Sequence, residues 1–123
     1  MTKVFVAGLY SKTKHENNLI GCLYNMRTGI MLCARLIALG YAPFCCWVDF
    51  LYFLVGDYRI SEKVIKEYTI EFLRACDVML VISNDVGSGV NNEITEAKMA
   101  HIPIVYSVKA LTEWDGERRL VEL

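Results

Sequence analysis

Short apolar runs rich in β-branched residues alternate along this chain with longer stretches whose apolar side chains recur every three or four positions. The short runs are KVFVA at residues 3–7, YAPFCC at 41–46, VMLVI at 78–82 and IVY at 104–106. A strand buried on both faces needs no polar alternation, so each run suits a parallel sheet. The longer stretches predict helices over residues 19–39, 61–75 and 93–100. In the first, Leu23, Met26, Ile30, Ala34, Ile37 and Ala38 keep helical spacing. Gly29 weakens its interior, and Gly40 is placed to close it as the C′ residue. In the second, Ser61 can act as N-cap, Glu62, Lys66 and Glu67 stay wet, and Val64, Ile65, Tyr68, Phe72 and Leu73 supply the buried side. In the third, Ile94 and Ala97, with Met99 and Ala100, form a narrow apolar face that Pro103 ends. Pro43 assigns its strand to a sheet edge or a strand start. The tail after residue 106 carries Lys109, Trp114, Arg118 and Arg119 in a pattern that fits a short helix or a last strand equally.

Strands alternating with helices predict an α/β fold: a three-layer, doubly wound parallel sheet of four or five strands, Rossmann- or flavodoxin-like, in one domain over residues 1–123. The organising stretch is residues 76–106, which read as strand, glycine loop, helix, strand, a right-handed βαβ unit. Ligands of such sheets sit outside the carboxyl ends of the strands. The loop at residues 84–92, with Gly87, Ser88 and Gly89, is expected there, and it places Glu93 in the first turn of the following helix.

Composition narrows the chemistry. A net charge of −1 lacks the basic excess of a nucleic-acid surface. Five cysteines with no CxxC pair and no histidine cluster read as reduced thiols of a cytoplasmic protein, with no metal site. No secretory leader is read at the start, and the most apolar stretch, residues 41–56, is interrupted by Pro43 and Asp49 and is too short for a bilayer. GxGxxG is absent, so no dinucleotide cofactor is expected.

The candidate residues follow from position. Gly8 breaks the first strand at its carboxyl end, where it serves either an ordinary turn or a close approach of backbone to ligand, with Tyr10 and Ser11 offering hydroxyls beside it. The aromatic stretch from Trp47 to residue 58, with Asp49 inside it, suits a nucleobase pocket, an interface between subunits or plain core. Glu93 at a helix mouth is expected to stay ionised and so to be able to attack an anomeric carbon, or else simply to cap its helix. Backbone amides around Gly87 and Gly89 suit a phosphate or a 5′-hydroxyl. Asp77 stands before the third strand, as a second acid or an ordinary strand-start residue.

The segments AGLYS, PFCCWVDF, CDVMLVIS and SGVNNEITEAK, in that order, resemble the nucleoside 2-deoxyribosyltransferase-like superfamily, and most of all its small, mostly phage and bacterial members. The resemblance covers roughly residues 3–106. It implies cleavage of the N-glycosidic bond of a deoxynucleoside or a nucleoside 5′-monophosphate, with the sugar passed to another base or to water. It further implies Glu93 as nucleophile, Asp77 assisting on the base side, Tyr10 holding the nucleophile, and Gly8, Ser11, Trp47, Asp49, Gly87, Ser88 and Gly89 around the substrate. A homodimer or larger homo-oligomer is implied too, with a small-molecule nucleoside or nucleotide as partner and the cytoplasm, a host's if phage-encoded, as location. This chain departs from the pattern with Leu9 and Cys46 where relatives carry Pro, and with Gly87 where they carry Ser or Asp. The last departure supports an alternative, a protein that sequesters a nucleotide without turning it over. A third reading is an oligomeric structural protein with a relic site. The enzyme reading expects the carboxylates of Asp77 and Glu93 to face one crevice, roughly 5–8 Å apart.

Overall fold

The computed structural model describes residues 1–8, 18–49, 51–52, 59–82 and 88–122. Four strands, β1 (Lys3–Ala7), β2 (Ala42–Cys45), β3 (Val78–Val81) and β4 (Ile104–Val105), form one sheet in the order β2-β1-β3-β4. All three pairings are parallel, with Val4 opposite Pro43 and Val78, and Met79 opposite Ile104. The helices are α1 (Asn18–Ala38), α2 (Glu62–Arg74), α3 (Ser88–Met99) and α4 (Val108–Glu122). A 3-10 turn, Cys46–Asp49, follows β2. The fold is thus the α/β three-layer class that the sequence predicts, with four strands among the described residues.

Side chains of the two central strands point alternately to two cores. Val4, Val6, Val78 and Leu80 pack with Cys33 and Leu36 of α1 and Leu111 of α4. Phe5, Ala7, Met79 and Val81 pack with Leu73 of α2 and with Val90 and Ala97 of α3. Cover on both faces is why these strands read as unbroken apolar runs. β2 is an edge strand, as Pro43 requires. Its Ala42 N–H donates to the Thr2 carbonyl at 2.9 Å, so the neighbouring Pro43 takes the position whose backbone nitrogen faces away from β1.

Helix ends follow local chemistry. Gly40 adopts φ +93°, and the Tyr41 N–H returns to the Leu36 carbonyl at 3.0 Å, closing α1. Ser61 caps α2 by accepting the Val64 N–H at 3.2 Å. The ending of α3 is less ordinary. His101, not a glycine, takes the left-handed conformation at φ 58°, and the Ile102 N–H reaches the Ala97 carbonyl at 2.8 Å.

Two elements differ from expectation. α3 starts at Ser88, five positions before Glu93, because Val90 is buried and anchors a first turn of otherwise poor helix formers. The tail is a 15-residue helix, α4. One of its inward positions is Asp115, which disguises the apolar face. Its carboxylate is buried, accepts from Thr2 Oγ1 at 3.0 Å, and meets Arg119 Nε at 3.0 Å.

Gly29 has a packing reason to be glycine. A Cβ built there would lie 2.4 Å from ring atoms of Trp47, whose indole rests on the helix at that point. Gly116 of α4 faces open space. Gly29→Ala should therefore lower stability by roughly 1–3 kcal/mol through overpacking, although alanine is the better helix former. Gly116→Ala should raise stability by up to about 1 kcal/mol. Urea unfolding of both variants checks the contrast, and equal shifts in the two would reject the Trp47 contact as the cause.

Candidate functional site

The strand order reverses between β1 and β3, so the switch-point crevice opens at their carboxyl ends. Gly8 and Ile82 border it, and the turn after β2 adjoins it. Tyr10, Ser11 and Gly87 lie outside the described residues. Ser88 is the first residue of α3, and Gly89 is exposed in its first turn with no neighbour within 4 Å of a built Cβ.

Gly8 is packed rather than open. A Cβ on it would sit 2.8 Å from Trp47 Cζ2 and 2.9 Å from Ile82 Cγ1. Trp47 is 1 % exposed and fills the slot between Gly8 and Gly29. Of the three readings for the aromatic stretch, Trp47 fits the core. Two residues further on, Asp49 ends the same turn and is buried to 8 % exposure. The Tyr68 hydroxyl of α2 donates to Asp49 Oδ1 at 3.1 Å. Burial pushes the Asp49 carboxyl above its ordinary value, and hydrogen bonding to Tyr68 and Thr69 opposes that rise. In turn, burial and the Asp49 charge raise the Tyr68 phenol, which stays a donor.

Tyr68, which the sequence places on the buried side of α2, is the residue that sequence reading did not assign to the site. Its ring packs edge-on against Phe72 at 5.2 Å, Phe44 at 6.2 Å and Tyr52 at 6.3 Å. Phe44 stacks in turn on Phe5 and Phe72, at 5.3 and 4.7 Å. This aromatic column fixes the phenol over Asp49. The available signal was a tyrosine on an otherwise apolar helix face, since a buried hydroxyl needs a partner.

Glu93 lies in the second turn of α3, not the first, so its carboxyl is not beside the free helix amides. Nothing among the described residues donates to its Oε2, which is out of contact with solvent. Its carboxyl is pushed up to about 7, chiefly by burial and then by the charge of Asp49. The expectation of a carboxylate held ionised by the helix dipole is thereby corrected. The Cys46 thiol is raised by burial first and by Glu93 next. Glu93, Asp49 and Cys46 are thus each desolvated, and their charges act on one another. Cys45, at the end of β2, is brought down to about 7 by its bond with Cys33 and by the Trp47 and Val48 amides.

Asp77 is elsewhere. Its Oδ2 accepts the Lys3 N–H at 2.8 Å, its own N–H donates to the Lys3 carbonyl at 2.9 Å, and Arg118 Nη1 stands 3.9 Å from Oδ1. These partners lie at the amino edge of the sheet, and the whole of β3 (about 13 Å at 3.3 Å per residue) separates Asp77 from the crevice. The expected Asp77–Glu93 pair does not form. Asp49 is the carboxylate whose charge reaches Glu93, whereas Asp77 ties β1, β3 and α4 together.

Among the described residues no group of three or more His, Cys, Asp or Glu is arranged to hold a metal ion, and no helix is long and apolar enough to cross a membrane.

The raised Glu93 carboxyl has a signed consequence. Between about 4.5, its ordinary value, and about 7, the unfolded chain ionises Glu93 while the folded chain keeps it protonated. The stabilising contribution is full below that window and is lost as pH rises through it, by about 3 kcal/mol. Glu93→Gln should remove this loss, so the variant should gain on the parent protein as pH rises and exceed it above neutrality. Urea titrations from acid to mildly alkaline pH test this. Parallel curves for the two proteins would show that Glu93 titrates normally.

No family model matches the chain, and no curated protein sequence matches it.

Proposed function

We propose that this protein breaks the N-glycosidic bond of a nucleoside or nucleoside 5′-monophosphate, with Glu93 and Asp49 as the working pair of carboxyl groups. The observation that carries the reading is the orphaned Glu93 Oε2, desolvated and within reach of the charge of a second acid, the buried Asp49. A buried acceptor without a donor favours a ligand that supplies one or reacts with it. Two desolvated carboxyl groups within reach of each other's charge have their ionisations pushed apart, which is the condition for one to act as a base or nucleophile and the other as an acid. The resemblance of the glycine loop and of the segment around Glu93 to deoxyribosyltransferases supplies the substrate class.

In the proposed course the pair holds one proton, which rests on Glu93 in the free protein and passes to Asp49 when the sugar docks. Ionised Glu93 attacks C1′ of the sugar, and a glycosyl ester forms as the C1′–N bond breaks. The electron pair of that bond leaves with the base, which takes the proton from Asp49. Water, or a second base, then attacks C1′ and releases Glu93, returning its proton to Asp49. Tyr68 holds Asp49 in place and stabilises its ionised form. Because the productive state needs Asp49 protonated and Glu93 ionised, base release is expected to peak near neutral pH and to fall on both sides.

Incubation with a panel of nucleosides and 5′-monophosphates, resolved by chromatography, is the test. Glu93→Ala should abolish base release with its circular dichroism unchanged, and Asp49→Asn should slow release by about 10²–10⁴-fold. Undiminished release from Glu93→Ala rejects the assignment.

A second reading is capture of the nucleotide without turnover. Burial keeps Glu93 protonated up to about 7, which weakens it as a nucleophile, and Gly87 lacks the side chain that relatives carry there. Ligand recovered bound and intact from the unaltered protein favours this reading over the first.

A further inference from the structure

Three cysteines, Cys33, Cys45 and Cys46, gather around the core that holds Trp47, and they are not equivalent. Cys33 lies on α1 one turn beyond Gly29 and on the same face, and it is 5 % exposed. Cys45 ends β2, half-buried at the edge of the sheet and two residues before Trp47. It packs against the core to which Cys33 belongs. The Cys33 thiol donates to the Cys45 sulfur, which also accepts the backbone N–H groups of Trp47 and Val48. Both cysteines are free. The helix and the edge strand thus present two thiols to each other, in contact but not bonded.

We propose that Cys33 and Cys45 are a peroxide-responsive pair that closes to a reversible disulfide, with Cys45 as the attacking sulfur. The sulfurs have only to move from hydrogen-bond contact to the ~2.05 Å of a disulfide. One donated S–H and two donated N–H groups bring the Cys45 thiol down to about 7, against burial and the charge of Asp49, so thiolate is present at neutral pH. Cys33 stays protonated, raised chiefly by that same bond and then by burial. Cys45 is also the more open of the two to a small hydroperoxide. Its thiolate attacks one oxygen of hydrogen peroxide. The O–O bond breaks, leaving a sulfenic acid on Cys45 and releasing hydroxide. The Cys33 sulfur then attacks Cys45, the S–O bond breaks, and the Cys33 proton leaves with the hydroxyl as water. The two sulfurs together lose two electrons, and the peroxide takes them up.

The other cysteines are not placed for this. Cys46 follows Cys45 directly, and consecutive Cα atoms stand about 3.8 Å apart, short of the ~4.4–6.8 Å that a disulfide spans. Cys22 lies three turns before Cys33 on α1, about 16 Å away. Cys76 precedes β3, at the amino edge of the sheet. Once bonded to Cys33, the Cys45 sulfur carries no charge, so the Trp47 and Val48 amides lose an anionic acceptor in the turn that ends at Asp49.

The inference does not depend on the chemistry at Glu93. Hydrogen peroxide in small excess over the full chain, followed by alkylation, digestion and mass mapping, should give a linked Cys33–Cys45 peptide that a dithiol reductant reopens. Cys45→Ser should abolish the link, and Cys22→Ser should leave it unaltered. Cys33→Ala should leave Cys45 as a sulfenic acid that dimedone traps. In the reduced protein, the rate of Cys45 alkylation by iodoacetamide should rise with pH through a midpoint at about 7, and Cys33→Ala should move that midpoint up. Failure of the link to form in the unaltered protein overturns the proposal. A link that joins any other pair overturns it as well, and so does a midpoint that Cys33→Ala does not move.

Discussion

The seat of Trp47 is the contact on which the rest depends. Its indole lies between two positions with no side chain, Gly8 at the end of β1 and Gly29 in the middle of α1. That one ring joins the central strand, the longest helix and the turn after β2. Close packing leaves no latitude in such a slot, so the turn is held at fixed height above the sheet. Asp49 ends that turn. The position of a buried acid is therefore set by an apolar contact two residues away.

From there the site is built by opposing demands. Asp49 is desolvated, which disfavours its charge, and bonded to Tyr68, which favours it. Glu93 is desolvated with no bond to its Oε2 among the described residues. Two acids of nearly equal intrinsic strength thus acquire different proton affinities from their surroundings alone. The aromatic column behind Tyr68 keeps this asymmetry from relaxing, because the phenol cannot swing away without losing its edge contacts with Phe72 and Phe44.

Much of the fold was legible because strand burial on both faces, helical spacing and Gly40 all act locally. Residues 78–81 could hardly be anything but a central strand. The start of α3 was not legible, since Ser88, Gly89, Asn91 and Asn92 are weak helix formers and only the tertiary burial of Val90 overrides them. α4 was hidden by Asp115, whose inward charge is acceptable only with Thr2 and Arg119 around it, partners that lie far off in sequence or on the wet side of the pattern. At the site, Glu93 stood out after a glycine loop and Asp49 inside an aromatic stretch, but the influence of one on the other is a tertiary fact. Asp77 shows a readable signal passed over. A residue that precedes a strand in a parallel sheet lies at the amino edge, opposite the crevice, whatever its chemistry.

The edges of the sheet carry a further consequence. On β2, the first of the two backbone nitrogens that face away from β1 belongs to Pro43 and has no proton to give an incoming strand. On the far side β4 is two residues long, too short a template for lasting main-chain pairing. A neighbour's strand thus finds an interrupted donor row on one edge and a short template on the other.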